Sequence, residues 1–168
     1  SGAGTKGLVV FIPVNEVAEE LYVSLEKKLK ALALTHLVNR YINAHIGKLS
    51  PMCTCVMASS TSASVGIAYL LDGTNDHISY CIRNMTGTVT GMICDGGKVG
   101  CALKVSTGST AALMCATTAV NNAVLRESDG ICAATAEQCI QNMARIGQSG
   151  MKKVDEEIIA IMKSKECQ

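Results

Sequence analysis

Residues 55–71 and 105–125 of this chain contain no Asp, Glu, Lys or Arg and are rich in Ala, Ser, Thr and Gly. Runs of that length and composition allow few folds. Small side chains let helix backbones approach one another closely, so both segments read as helices packed tightly against neighbours. The second run is long enough to span a bilayer. Its many Ser, Thr, Gly and Asn residues favour a buried helix in a soluble domain instead. Aromatic residues make up only 3% of the chain and hydrophobic residues 48%, so the core has to be filled by aliphatic, Met, Ala and Cys side chains. The 168 residues amount to one domain or a large piece of one. A net charge of +1 with no basic stripe excludes a nucleic-acid surface.

Helix signals recur along the rest of the chain. The opening "SGAGTKG" reads as a glycine-rich turn, and "LVVFIPV" as a short strand or a buried helical turn. Asn15 can cap a brief helix, "EVAEEL". Ser24 can cap a longer one running to Gly47, with Leu25, Leu29, Leu32, Leu37 and Tyr41 at helical spacing. Thr74 or Asn75 can cap a helix through "DHISYCIRNMTGTVTGM", and Thr135 with Gln138 forms a capping-box pattern. A last amphipathic helix, "VDEEIIAIMKSK", follows. The expected fold is all-α, a closely packed helical domain whose glycine-rich turns carry the chemistry.

Nine cysteines without a secretory signal point to free thiols in the cytoplasm rather than to a disulfide framework. Cys81, Cys115 and Cys139 lie within expected helices and read as small buried hydrophobes. Cys132 falls near a turn, and Cys167 reads as a tail thiol. Cys53, Cys94 and Cys101 stand at loop or helix-start positions, where sulfurs from distant parts of the chain can converge on a metal. Their spacing alone leaves them open to the core role as well. Cys55 is a possible fourth ligand, but an extended or helical start would turn it away from Cys53.

The segments "THLVNRYINAHIGKLSPMCTC", "IRNMTGTVTGMICDGGKVGCALKVSTGSTAAL" and "IQNMARIGQSGMKKVDEEIIAIM" together resemble the C-terminal half of the L-cysteine desulfidase family, which is related to the α-chain of iron–sulfur-dependent L-serine dehydratases. The resemblance implies an oxygen-sensitive 4Fe–4S cluster on Cys53, Cys94 and Cys101, with one iron left open as a Lewis acid. It implies α,β-elimination from a small L-amino acid, giving aminoacrylate and then pyruvate and ammonia. Pyridoxal phosphate is not implied, and the sequence shows no lysine motif that would hold it. The motif match favours L-cysteine. L-serine is the alternative, and so is a non-catalytic subunit that keeps the scaffold without a cluster.

Further site residues follow from the same resemblance. The opening "SGAGTKG" stands where the family has Ser-Gly-Ser-Gly-Asn-Gln-Gly, which makes Ser1, Gly2, Gly4, Thr5, Lys6 and Gly7 substrate-binding candidates. Backbone N–H groups of such a turn can hold a carboxylate. His36, in "THL", matches a family histidine and is a candidate acid/base or orienting group; a hydrogen-bonded core histidine is the plain alternative. His36 and His45 are nine residues apart, about half a helical repeat out of phase, so they face opposite ways. Asp95 and Lys98 lie between two proposed ligands as catalytic candidates, while Lys98 and Lys104 can offset cluster charge; structural roles fit all three equally. The chain lacks an initiating Met and begins inside a motif. It therefore reads as a fragment or one piece of a split protein, completed by an N-terminal half or partner chain, with a homodimer as a further possibility.

Overall fold

A computed structural model describes residues 4–47 and 50–166. Helix α3 (Thr54–Leu70) is the axis of the molecule, and each residue from 56 to 68 is buried. Helices α1 (Gly4–Glu20), α2 (Leu25–Ile46), α4 (Asn75–Val89) and α5 (Gly100–Val120) pack around it. Its small residues make this possible. A Cβ on Gly66 would stand 2.0 Å from Thr35 Oγ1 of α2, and one on Gly108 of α5 would stand 2.7 Å from Val56 Cγ1. Three buried hydroxyls of α3 turn back onto their own helix: Ser60 Oγ donates to Val56 O, and Ser62 Oγ donates to Ser59 O and Ser64 Oγ to Thr61 O, the last two at 2.8 Å. An all-α fold is thus what the chain adopts, with seven α-helices among the described residues.

The neighbours fix helix directions. Gly66 meets both Val14 and Thr35, while Val56 meets Gly108 and Val120 meets Gly73; at the other end of α3, Lys6 lies near Cys55 and bonds Asn43, and Met92 beyond α4 accepts from Cys53 N. Helices α1 and α5 therefore run parallel to α3, and α2 and α4 run against it. The N-termini of α1, α3 and α5 share one end of the bundle. On the periphery, α6 (Ala136–Arg145) continues into a π turn (Ile146–Gly150) and then α7 (Lys152–Glu166).

Capping follows the sequence signals. Ser24, Thr74 and Thr135 each accept a backbone N–H three residues on, and Gly47 ends α2 with φ 92°. One expectation is corrected. Residues 4–20 form one helix with Pro13 inside it, so "LVVFIPV" takes the helical of its two readings, and the glycine turn and the separate helix capped at Asn15 give way to a single element. Burial of Val9, Val10, Val14 and Ala18 along one face overrides the proline's missing donor. On α2 the leucine stripe faces outward: Leu25 is 69% and Leu37 67% exposed, with Leu29 and Tyr41 also exposed. The buried face carries Ala31, Leu32, Thr35, Asn39, Ile42 and Ile46, with Ala31 and Thr35 at the close contact with Gly66 of α3. Among the described residues no helix is long and apolar enough to cross a membrane.

Candidate functional site

Beyond Gly47, which ends α2, the chain from Pro51 pairs with the loop after α4. Met52 and Ile93 form an antiparallel bridge. Cys53 N donates to Met92 O, and Cys94 N donates to Pro51 O, each at 2.7 Å. Side chains alternate across such a pairing, so Cys53 and Cys94 leave it on the same face, opposite the fully buried Met52. Cys53 is also the N-cap of α3, and Cys101 stands in the first turn of α5 with its thiol donating to Gly96 O at 3.6 Å. Parallel α3 and α5 thereby bring all three cysteines to one end. Gly91 and Gly96 flank Cys94 with φ of 97° and 91°, a region L residues rarely adopt.

Cys55, in the first turn of α3, belongs to the same end. Burial pushes the Cys53 thiol up, and the nearby Cys94 and Cys55 add to the effect. Burial likewise pushes the Cys55 thiol up; the Lys6 ammonium acts in the opposite sense, and Cys94 and Cys101 reinforce the rise. Lys6 is only 3% exposed and donates from Nζ to Asn43 Oδ1 at 2.7 Å. Asn43 in turn donates to Asn39 O and Oδ1, both at 2.7 Å. A buried cation, a pair of amides and three positive helix ends therefore surround the thiols.

Asp95 takes up a second set of cations. Its carboxylate is paired with Lys104 through one oxygen and Lys98 through the other. These bonds, Lys104 first, hold the carboxyl well below the usual carboxylate range. Lys104 Nζ also donates to Ile93 O at 2.9 Å, fastening the bridge strand to α5. A carboxylate so engaged is a weak base at neutral pH, and Lys98 is committed to the same pair. Both are brought to the cysteine end as a lock on the loop.

Other candidates are placed differently. Gly4, Thr5, Lys6 and Gly7 begin α1 rather than a turn, with Gly4 and Gly7 exposed. Ser1 and Gly2 lie outside the described residues. His36 is exposed on α2. Its neighbour Thr35 packs on Gly66, thirteen residues beyond Cys53, or about 20 Å along the α3 axis at 1.5 Å per residue. His36 is therefore not brought to the cysteines by this chain. His45, at the end of α2, is nearer that end and holds Tyr41 O through Nδ1 at 3.0 Å. Cys81, Cys115, Cys132 and Cys139 are buried, as core cysteines are; Cys167 lies outside the described residues.

Four thiols beside lysines and helix N-termini make a donor set whose chemistry fits a thiolate-bound iron–sulfur cluster. Among the described residues, however, no three His, Cys, Asp or Glu side chains form a ready group for a metal ion. Sequence reasoning did not pick out Asn39, Asn43 or Lys6 as one buried network. The i, i+4 asparagines on the closely packed side of α2 were the available signal.

The family described as serine dehydratase alpha chain matches residues 1–160. A UPF0597 protein from Clostridium perfringens is 44% identical over 165 residues, covering 98% of this chain and 39% of that protein. One from Clostridium tetani is 40% identical over 162 residues, covering 96% and 38%. Another, from Parabacteroides distasonis, is 41% identical over 167 residues, covering 99% and 39%. The chain thus spans about two-fifths of the length of these curated relatives. No solved structure matches it.

Proposed function

We propose, from the premise that this chain belongs to the serine dehydratase alpha chain family, that it is the cluster-bearing part of an iron–sulfur lyase. The lyase removes the β-substituent of a small L-amino acid, L-cysteine first. Cys53, Cys94 and Cys101 would hold a 4Fe–4S cluster. When bound, such a cluster supplies a Lewis-acidic iron that makes sulfide a better leaving group. No pyridoxal phosphate takes part. The observation that carries the reading is the Met52–Ile93 bridge, which brings Cys53 and Cys94 to one face beside the helix that bears Cys101.

The chain's own residues prepare the site for anions. Lys6, fixed by Asn43, and the N-termini of α1, α3 and α5 attract the substrate carboxylate and offset thiolate charge. Asp95 stays ionised and keeps Lys98 and Lys104 at the mouth of the site. The α-proton and the β-sulfide leave, the aminoacrylate hydrolyses, and pyruvate and ammonia result. The proton-abstracting base comes from the rest of the protein, which this chain meets as an N-terminal part or a partner chain. The free thiols support a reducing compartment such as the cytoplasm for this activity.

The test is anaerobic reconstitution with iron and sulfide, in parallel with Cys94→Ala, followed by pyruvate measurement. About four irons per chain in the parent, lost in the variant, is the expected result. Iron uptake that Cys94→Ala leaves unchanged overturns the assignment. A second reading, L-serine as substrate, is favoured by the description of the matching family. Faster pyruvate formation from L-serine than from L-cysteine selects it.

A further inference from the structure

The π turn Ile146–Gly150 touches the strand that carries Cys53, and neither the fold nor the proposed chemistry accounts for it. Gly147 is buried against this strand: a Cβ there would lie 2.7 Å from Met52 Cε and 3.1 Å from Ser50 Oγ. Ser50 Oγ donates to Gly147 O at 2.9 Å, and Met52 N donates to Ser50 Oγ at 3.1 Å. One residue on, Gln148 Nε2 donates to His45 O at 2.6 Å, at the end of α2. A single turn therefore holds the chain on both sides of the crossing from α2 to α3.

A π turn widens the helix by one residue per turn and moves carbonyls off the regular ladder, which leaves them open to outside donors. Here the outside donor is the Ser50 hydroxyl. Met52, whose side chain Gly147 admits and whose N–H Ser50 fixes, is the residue that pairs with Ile93. Displacing Met52 shifts the two hydrogen bonds that set Cys53 against Met92 and Cys94 against Pro51. We infer that the π turn is a clamp, with Ser50 and Gly147 as positioning residues that set the spacing of the Cys53 and Cys94 thiols. The consequence for cluster binding rests on the function proposed above; the spacing itself does not.

The experiment measures amide hydrogen exchange at Cys53 and Cys94, and iron retention after anaerobic reconstitution, in the longest form of the protein that carries this chain. The variants are Ser50→Ala, Ser50→Thr, Gly147→Ala and Gly147→Val. Ser50→Ala and Gly147→Val are expected to speed exchange at both cysteine amides at least tenfold and to speed iron loss. Exchange of the α3 core amides should stay at the parent rate, and Ser50→Thr, which keeps the hydroxyl, should behave as the parent. Gly147→Ala, which asks for a smaller shift of Met52, should fall between. Unchanged exchange at Cys53 and Cys94 in both Ser50→Ala and Gly147→Val overturns the clamp. If the parent takes up no iron while the variants still loosen the two amides, the cluster reading fails and the clamp stands.

Discussion

Cys81 lies in the packed contact between α4 and α5, its thiol donating to Cys115 O at 3.8 Å. Burial, with Cys115 nearby, pushes its pKa up to about 12. The folded state thus holds this proton more tightly than the unfolded chain, whose thiol titrates at about 8.5. The associated stability is fully present below that value and is lost as pH rises from there toward the folded value. One such group changes unfolding free energy by at most about 1.4 kcal/mol per pH unit. Burial raises Cys115 and Cys132 in the same direction. Thermal unfolding between pH 8 and 10.5 should therefore show a falling Tm in the parent, with a shallower slope in Cys81→Ala. Parallel slopes would remove the argument. In contrast to this core thiol, Cys94 and Cys101 stand half-buried among cations and glycines.

At the scale of elements, α2 and α3 meet where Gly66 faces Thr35. Gly66→Ala is expected to cost about 1–3 kcal/mol by overpacking, and Thr35→Ala in the same chain should recover part of the loss. A double-mutant cycle by denaturant titration measures that coupling; strictly additive effects would show that the helices do not touch there. The same contact explains what was legible in the sequence. Caps at Ser24, Thr74 and Thr135, the uncharged helices and the buried cysteines were readable because each depends on neighbours within a few residues. The orientation of α2 was not, since its leucines make the better stripe while its small residues make the better contact. Nor could spacing reveal that Cys55 joins Cys53, Cys94 and Cys101. That follows from parallel packing of α1, α3 and α5, and Asp95 and Lys98 became a lock only once Lys104 on α5 reached the loop.

The whole molecule carries more apolar surface than its helices need. The outer face of α5 presents Leu103, Ser106, Thr107, Thr110, Leu113 and Met114 without a charge. A groove of about 650 Å³ runs between it and the end of α4, lined also by Thr88, Thr90 and Met92. On the neighbouring α1, Leu8, Phe11 and Ile12 are exposed as well. Patches of this kind mark contact surfaces, and the relatives are long enough to supply the cover. Leu103→Lys with Leu113→Lys should shift the unfolding free energy of this chain alone by no more than about 0.5 kcal/mol and raise its solubility. In a protein of the relatives' full length the same pair should lower Tm, as calorimetry can check. An unchanged Tm there would mean that this face stays open to water.

The Cys94 loop will also leave a mark on any randomised library. Among the glycines at 91, 96, 97 and 100, only the first two hold a left-handed φ, while a Cβ at 97 would meet nothing within 4 Å. Selection for a working loop should therefore return glycine at 91 and 96 almost without exception. Position 97 should drift freely across the alphabet, so of the four glycines in the segment only two are instructions.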